Sequence, residues 1–515
     1  MNNALIAAID AGTTGTRCCI VDKNGTITAN GYCPVPSIYP KTGYVEQDPK
    51  TIIELTFKAV RKAVASEDID PARIIGLCIT FQRNSFVPID AKGNYLSNMI
   101  TWQDQRGEEA HPWIEECLKK YGYSFPDFYR KNGQPFGSFQ CGFKALWYRR
   151  FQGDLYNKTY KLITPLAFLA EAFGAEDYVD ENNNRSFWLV ADADRQEIDE
   201  TLCKVFDFRS DLFLDAVSPG TKIGNVSKEA AEITGLLQGT PIYAGSGDQQ
   251  CGALGAGNYG TTDIMSVCLG TAGLCIAYSP STVRHPKALC QVQGHPAGGY
   301  MIEAHSSSCM SSYRWAEKVF YPGGNGSSVH ALMEEEAKSA PAGSNGVLFL
   351  PYLQGAACPH YDDTARGTYL GMSLANGRGE MIRATIEGIC FENRMMLETL
   401  QESGIPQPKS LRIVGGASNS SFWNQIQADI YGVPVETITA TESTALGAAM
   451  ICAVSSGMYG SYKEAAEHMV QVREGYVPEP GTHEAYSKVY NIWDTCCRDL
   501  RNKAFREIYE YQKGK

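Results

Sequence analysis

The string DAGTTGTR, which begins at Asp10, combines a carboxylate with glycines, hydroxyls and one arginine. The glycines let turn amides converge on an anion, and Thr13, Thr14 and Arg17 add polar reach. Asp10 can hold the magnesium that accompanies nucleotide phosphates, directly or through water. LGTAG, from Leu269, repeats the device in the second half of the chain. Either string alone also reads as a plain hairpin turn. Two of them, facing each other, would clamp one phosphate chain from both sides. Asp248 stands in GSGDQQ, between glycines and glutamines, where the neighbouring sequence supplies no cation. It reads as an Asx turn or as a general base, a role that needs only hydrogen-bond reach to a hydroxyl. GGASN, from Gly415, reads as a strand-to-helix turn that could offer helix N-terminal amides to a nucleotide.

Strands and helices that would position these residues follow from spacing. Leu5 to Ile9 and Thr16 to Val21 are apolar runs separated by turn residues, the pattern of an antiparallel meander. Asp48 and Pro49 give an N-cap and first helical position, followed by apolar Ile52, Thr56, Ala59, Val60 and Ala63 at helical spacing. Ile74 to Thr80 reads as a buried strand delivering FQRNSF, and Met99 to Trp102 as one delivering WQDQR. Ligand sites of α/β proteins collect at strand ends of this kind. Near residue 260 the pattern restarts, with strands over Thr262 to Cys268 and Leu274 to Tyr278 around LGTAG. Leu411 to Val414, a helix from about Ser420, Val435 to Ile438 and an Ala-rich helix from about Ser443 complete it. The repeat of a whole domain predicts two α/β units, 1–255 and 256–515. PGGNGSS, from Pro322, is the longest loop candidate.

With 515 residues the chain is too long for one core. Against 46 basic residues stand 57 acidic ones, a net charge of -11, which disfavours nucleic acid and anionic membranes as partners. No leader-like start and no apolar run of about 18 residues is present, so a soluble, cytoplasmic protein is expected. Seventeen scattered cysteines lack a CxxC pair and read as reduced core residues. His285, His295 and His305 recur at intervals matching no local metal motif. Gly255, Gly257 and Gly260 spell GxGxxG but precede a strand pattern, not the helix a dinucleotide site needs. A P-loop string is absent.

Taken in order, DAGTTGTR, GYVEQDP at Gly43, WQDQR at Trp102, GDQQ at Gly247, LGTAG, RATIEGICFENR at Arg383, GGASN and STALGAAM at Ser443 resemble the FGGY family of carbohydrate kinases. The resemblance implies two ribonuclease-H-like domains of the actin and hexokinase type, with the active site in the cleft between them. It implies ATP and Mg2+ as cofactors and Asp248 as base. Asp10 would lie near magnesium, Gly270 and Thr271 would meet phosphate, and Gly415, Gly416 and Asn419 would lie by the adenosine. The sugar contacts it points to are Gln82, Arg83, Asn84, Trp102, Asp104, Phe139, Asp248 and Gln249.

GYVEQDP, WQDQR and GDQQ look most like glycerol kinases, yet the pocket departs from them. Asn84 stands where those enzymes have a glutamate, and Phe139 falls on their pocket tyrosine. Hydroxyls left unpaired cost about 1–3 kcal/mol each, so a four- or five-carbon polyol or a ketopentose such as xylulose suits the pocket better than glycerol. Neither replacement looks like a folding requirement. Glycerol remains the alternative acceptor. A chaperone or filament protein of the same fold is opposed by WQDQR and GDQQ, and a sugar-binding regulator should have lost the base or gained a basic segment. The expected partner is a small sugar or polyol, with a homodimer left open.

Overall fold

A computed structural model describes residues 3–324 and 327–514, so part of the PGGNGSS segment, at 325 and 326, lies outside the described residues. The first sheet comprises β1 (Leu5–Ala11), β2 (Gly15–Asp22), β3 (Ile27–Pro34), β4 (Ile74–Phe81), β5 (Lys222–Asn225) and β6 (Pro241–Gly247), in spatial order β5-β6-β4-β1-β2-β3. Its first three strands form the antiparallel meander, and β4 then β6 are added parallel to β1. The second comprises β7 (Ile264–Leu269), β8 (Gly273–Ser279), β9 (Gln291–Gly294), β10 (Tyr300–His305), β11 (Ser410–Gly415), β12 (Val435–Ile438) and β13 (Val472–Tyr476), ordered β9-β10-β8-β7-β11-β12-β13. Apart from β9, the two halves share one plan: three antiparallel strands, two parallel ones and an antiparallel edge. That is the repeated ribonuclease-H-like architecture.

Helix α1 (Pro49–Val64) starts where Asp48 accepts from the amides of Lys50 and Thr51, and it buries Ile52, Thr56, Ala59, Val60 and Ala63. Strand alternation sorts β1 between two cores. Leu5, Ala7 and Ile9 meet α1 and helix α3 (Pro165–Phe173), downstream of helix α2 (Cys141–Phe151). Ile6 and Ala8 face the opposite way.

That opposite face is covered from the far end of the chain. Helix α4 (Asp248–Gly255) continues from β6, and among the helices of the second half are α5 (Met310–Phe320), α6 (Arg378–Glu402), α7 (Ser421–Tyr431) and α8 (Ser443–Ser455). Ala445, Ala448, Ala449 and Cys452 of α8 pack with Ile6, Ala8 and Cys78 of the first sheet. The α4–α8 crossing depends on two glycines. A Cβ at Gly255 would sit 1.9 Å from the Ser443 carbonyl oxygen, and one at Gly447 1.9 Å from that of Cys251.

Around α3, which belongs to the first core, residues between 86 and 213 build a second, aromatic core that includes Phe86, Phe128, Phe143, Trp188 and Phe206. It leans on the second sheet: the Tyr129 hydroxyl donates to the Cys290 carbonyl at 2.6 Å and the Gln134 amide to the Val292 carbonyl at 2.8 Å. All seventeen cysteines are unpaired and fifteen are buried. No helix among the described residues is long and apolar enough to cross a membrane.

Candidate active site

The DAGTTGTR turn is buttressed from three sides. The Gly12 amide donates to the Gly15 carbonyl at 3.0 Å. The Gln47 side chain, from GYVEQDP, donates to the Thr13 carbonyl at 2.7 Å and accepts from Gln82 at 2.9 Å. The Trp102 indole donates to the Thr13 hydroxyl at 2.7 Å. Thr14 is exposed, and Arg17 pairs with Glu442 at 3.2 Å. The expected strand through Trp102 is shorter than its apolar run, ending at Ile100, because the Trp102 amide turns to the Ser85 hydroxyl.

Asp10 lies at the end of β1 with Oδ1 buried and without a hydrogen-bond partner. Burial, with the negative charges of Asp248 and Glu442, raises its pKa to about 7, opposed by Arg17. A lone hard-oxygen ligand in a field of carboxylates suits Mg2+. Among the described residues no cluster of three or more His, Cys, Asp or Glu side chains could hold a metal by itself. Asp10 would therefore share the ion with phosphate oxygens and water, a division typical of Mg2+ sites.

Asp248 opens α4, one residue past β6, and Oδ1 accepts from the Gln249 amide at 2.8 Å. Contrary to the local sequence, it does have a cationic neighbour: Arg83 Nε lies 3.4 Å from Oδ1. The cation arrives from the end of β4, 165 positions earlier, which neighbouring sequence cannot reveal. Burial raises the Asp248 pKa, with Arg83 and the Gln249 hydrogen bonds pulling it back. Arg83 also reaches across the cleft, with Nη1 and Nη2 on the Glu303 carboxylate at 2.9 and 3.1 Å and Nη1 on Gln293 at 2.6 Å.

Asn84 has φ of 58° and its side chain accepts from the Cys141 amide at the start of α2. The position thus carries a folding requirement, against the sequence expectation, because asparagine tolerates the left-handed region and can cap a helix there. Asp104 is also committed: Oδ2 takes the Val45 amide at 2.7 Å, and both oxygens take Arg106. It braces the segment that carries Trp102. The Phe139 ring meets His305 at 5.6 Å.

Lys144, which spacing does not single out, ties together the segments that carry Asn84, Thr101 and Phe139. Its buried ammonium donates to three carbonyls, those of Asn84 at 2.5 Å and of Thr101 and Phe139 at 2.8 Å. Three donors meet three acceptors from three segments. Burial pulls its pKa down to about 8. A lysine interrupting the apolar stripe of α2 was the available signal. Glu303, a carboxylate inside the buried run of β10, was another.

In the second half, the Gly270 and Thr271 carbonyls receive the amides of Met310 and Cys309 at the start of α5, both at 3.0 Å. Gly415 has φ of 99°, and a Cβ there would meet the Leu269 carbonyl at 2.4 Å, so GGASN lies against LGTAG. GGASN does not itself open the helix. Gly416–Asn419 form a single 3-10 turn, and α7 starts at Ser421 with Ser420 as its cap, because the Ser420 hydroxyl accepts from the Trp423 amide. Asn419 is exposed and pairs with Arg473 at 2.9 Å.

Residues 5–255 match the family model for the FGGY family of carbohydrate kinases, N-terminal domain, and residues 265–456 match that for its C-terminal domain. A xylulose kinase from Bacillus subtilis is 28% identical over 511 residues, covering 98% of this chain and 99% of that protein. A glycerol kinase from Gloeobacter violaceus is 29% identical over 467 residues, 89% of this chain and 90% of that protein. The solved structure of a ligand-bound xylulose kinase from Lactobacillus acidophilus superposes with a TM-score of 0.89 at 23% identity, covering 97% of this chain and 99% of that one, a likeness of fold.

Proposed function

Because this chain belongs to the FGGY family of carbohydrate kinases, we propose that it transfers the γ-phosphoryl of ATP to a hydroxyl of a ketopentose of the xylulose type, with Asp248 as the base. One observation carries the reading. A half-buried carboxylate, raised in proton affinity but kept ionisable by Arg83, stands beside the Asp10 site at the cleft. The sugar hydroxyl gives its proton to Asp248 as its oxygen bonds to the γ-phosphorus. The bond from that phosphorus to the β–γ bridging oxygen breaks, and ADP leaves with the electron pair. Thr13, Thr14, Arg17, Gly270 and Thr271 hold the phosphates, and Gly415, Gly416 and Asn419 flank the adenosine. Mg2+, shared between Asp10 and the nucleotide, would neutralise phosphate charge. Gln82 and Trp102 couple the sugar segment to the phosphate turn through Gln47 and Thr13.

The ketopentose is favoured over glycerol by Asn84, which caps a helix where glycerol kinases carry a carboxylate, and by Phe139, which brings no hydroxyl. The xylulose kinase among the relatives supports the same choice. Glycerol is the second reading, favoured by GYVEQDP, WQDQR and GDQQ. Initial rates of ADP release over ketopentoses, polyols and glycerol test it. We expect sugar-dependent release with kcat/KM for a ketopentose at least about tenfold above glycerol, roughly 1.4 kcal/mol. ADP release indifferent to sugar would refute the kinase reading.

A further inference from the structure

Across the cleft from Asp248, the second domain presents Gln291, Gln293, Glu303 and His305, all from β9 and β10. Gln291, Gln293 and Glu303 are buried, and they form a chain of hydrogen bonds whose polarity can be deduced from one end. Arginine can only donate. Arg83 Nη1 lies 2.6 Å from Gln293 Oε1, which fixes that atom as the oxygen. Gln250 donates to the same oxygen at 3.1 Å. The Gln293 amide nitrogen must then donate onward, and it does so to Gln291 Oε1 at 3.1 Å. The Gln291 amide nitrogen is left facing His305 Nδ1 at 3.0 Å. Nδ1 therefore accepts, and the imidazole proton resides on Nε2.

No group among the described residues pairs with that Nε2. The ring lies against Phe139, on the wall of the sugar pocket that Lys144 holds in place. Burial lowers the His305 pKa, which keeps the ring neutral and its tautomer meaningful. A fixed N–H donor at this wall is remote along the relay from the Asp248 end, where the phosphoryl group is received.

We propose that His305 is a specificity-determining residue: its Nε2–H donates to a hydroxyl at the end of the sugar chain away from Asp248, so that the second domain reads chain length. Gln291 and Gln293 are positioning residues that set the tautomer, and Arg83 links the base to the reader. Glycerol is too short to engage both ends at once. This inference rests on the reading of the chain as a kinase of longer sugars.

The test is the ratio of kcat/KM for the best ketopentose to that for glycerol, measured in wild type, His305→Phe and Gln291→Leu, with the KM for ATP as a check on folding. His305→Phe should raise the ketopentose KM about 10- to 100-fold, the range expected when one donor is removed and a substrate hydroxyl is left unpaired. Glycerol kinetics and the KM for ATP should stay within about twofold. Gln291→Leu keeps the ring but frees its tautomer, so it should give a smaller loss in the same direction. If wild type prefers the ketopentose and both variants keep its ratio, or lose both substrates equally with ATP affinity intact, the inference is wrong and the kinase reading stands. A wild type that prefers glycerol overturns the ketopentose reading and this inference with it.

Discussion

The two Gly-Thr turns sit on the same strand frame and differ in charge. In the first half β1 makes its last pairing with β4 at Ala11, one residue after Asp10; in the second β7 makes its last pairing with β11 at Leu269, one residue after Cys268. A carboxylate in one half thus corresponds to a thiol in the other. The thiol is kept protonated, since burial raises the Cys268 pKa to about 11. The strands beside them also end alike, with a left-handed residue just past β4, Asn84, and at the end of β11, Gly415. Beyond Asn84 the chain departs to build the aromatic core around Phe86, Phe128 and Phe143, whereas Gly415 only lets the backbone approach LGTAG. A duplicated frame can therefore divide labour by changing a few side chains at strand ends: the first half sets the carboxylates Asp10 and Asp248 at its strand ends, and the second sets a neutral thiol and close-approaching backbone at the matching places.

Breaking the charged half should have the largest effect. Asp248→Asn keeps the acceptor for the Gln249 amide but loses the proton affinity and the charge facing Arg83. It should lower kcat by roughly 10²–10⁴ while sugar and nucleotide binding by calorimetry change little. Near-normal turnover would remove Asp248 from the chemistry. A milder loss is expected from the neutral half. At Gly270 even a Cβ would lie 3.2 Å from the Ala272 carbonyl oxygen, and the branches of valine would intrude on close approach to phosphate. Gly270→Val should weaken MgATP by about tenfold or more and leave sugar affinity in place; equal loss of both would indicate misfolding.

The smallest effect concerns Glu392, which hydrogen-bonds Ser306 beneath the second turn, where Ser306 accepts from the Gly273 amide at 3.0 Å. Burial raises the Glu392 pKa from 4.5 to about 8. Between those values the folded state holds a proton that the unfolded state has released, so this group's contribution to stability falls as pH rises. Glu392→Gln should gain on wild type by about 1 kcal/mol per pH unit between pH 6 and 7.5 in urea denaturation. Parallel pH profiles would mean that the carboxyl ionises in the folded protein.

Much of this frame is legible in sequence because it is local. The strand at Val435–Ile438 and the start of α8 at Ser443 fall where spacing puts them, since apolar periodicity and turn residues act over a few positions. The repeat is visible for the same reason. What spacing conceals is long-range. Nothing near Asp248 announces Arg83, nothing in α8 announces that it covers the first sheet, and Lys144 reads as a stray charge until three carbonyls from separate segments surround it. Asp104 errs the other way, a carboxylate in a suggestive motif that is already occupied by Arg106 and Val45.

The most direct test of the account is competition. Wild-type enzyme with limiting ATP is given equal concentrations of a ketopentose, a five-carbon polyol and glycerol, and the phosphorylated products are separated and identified by mass. The proposed function predicts pentulose phosphate in at least about tenfold excess over glycerol phosphate. A product pool dominated by glycerol phosphate would contradict it and return the chain to glycerol chemistry.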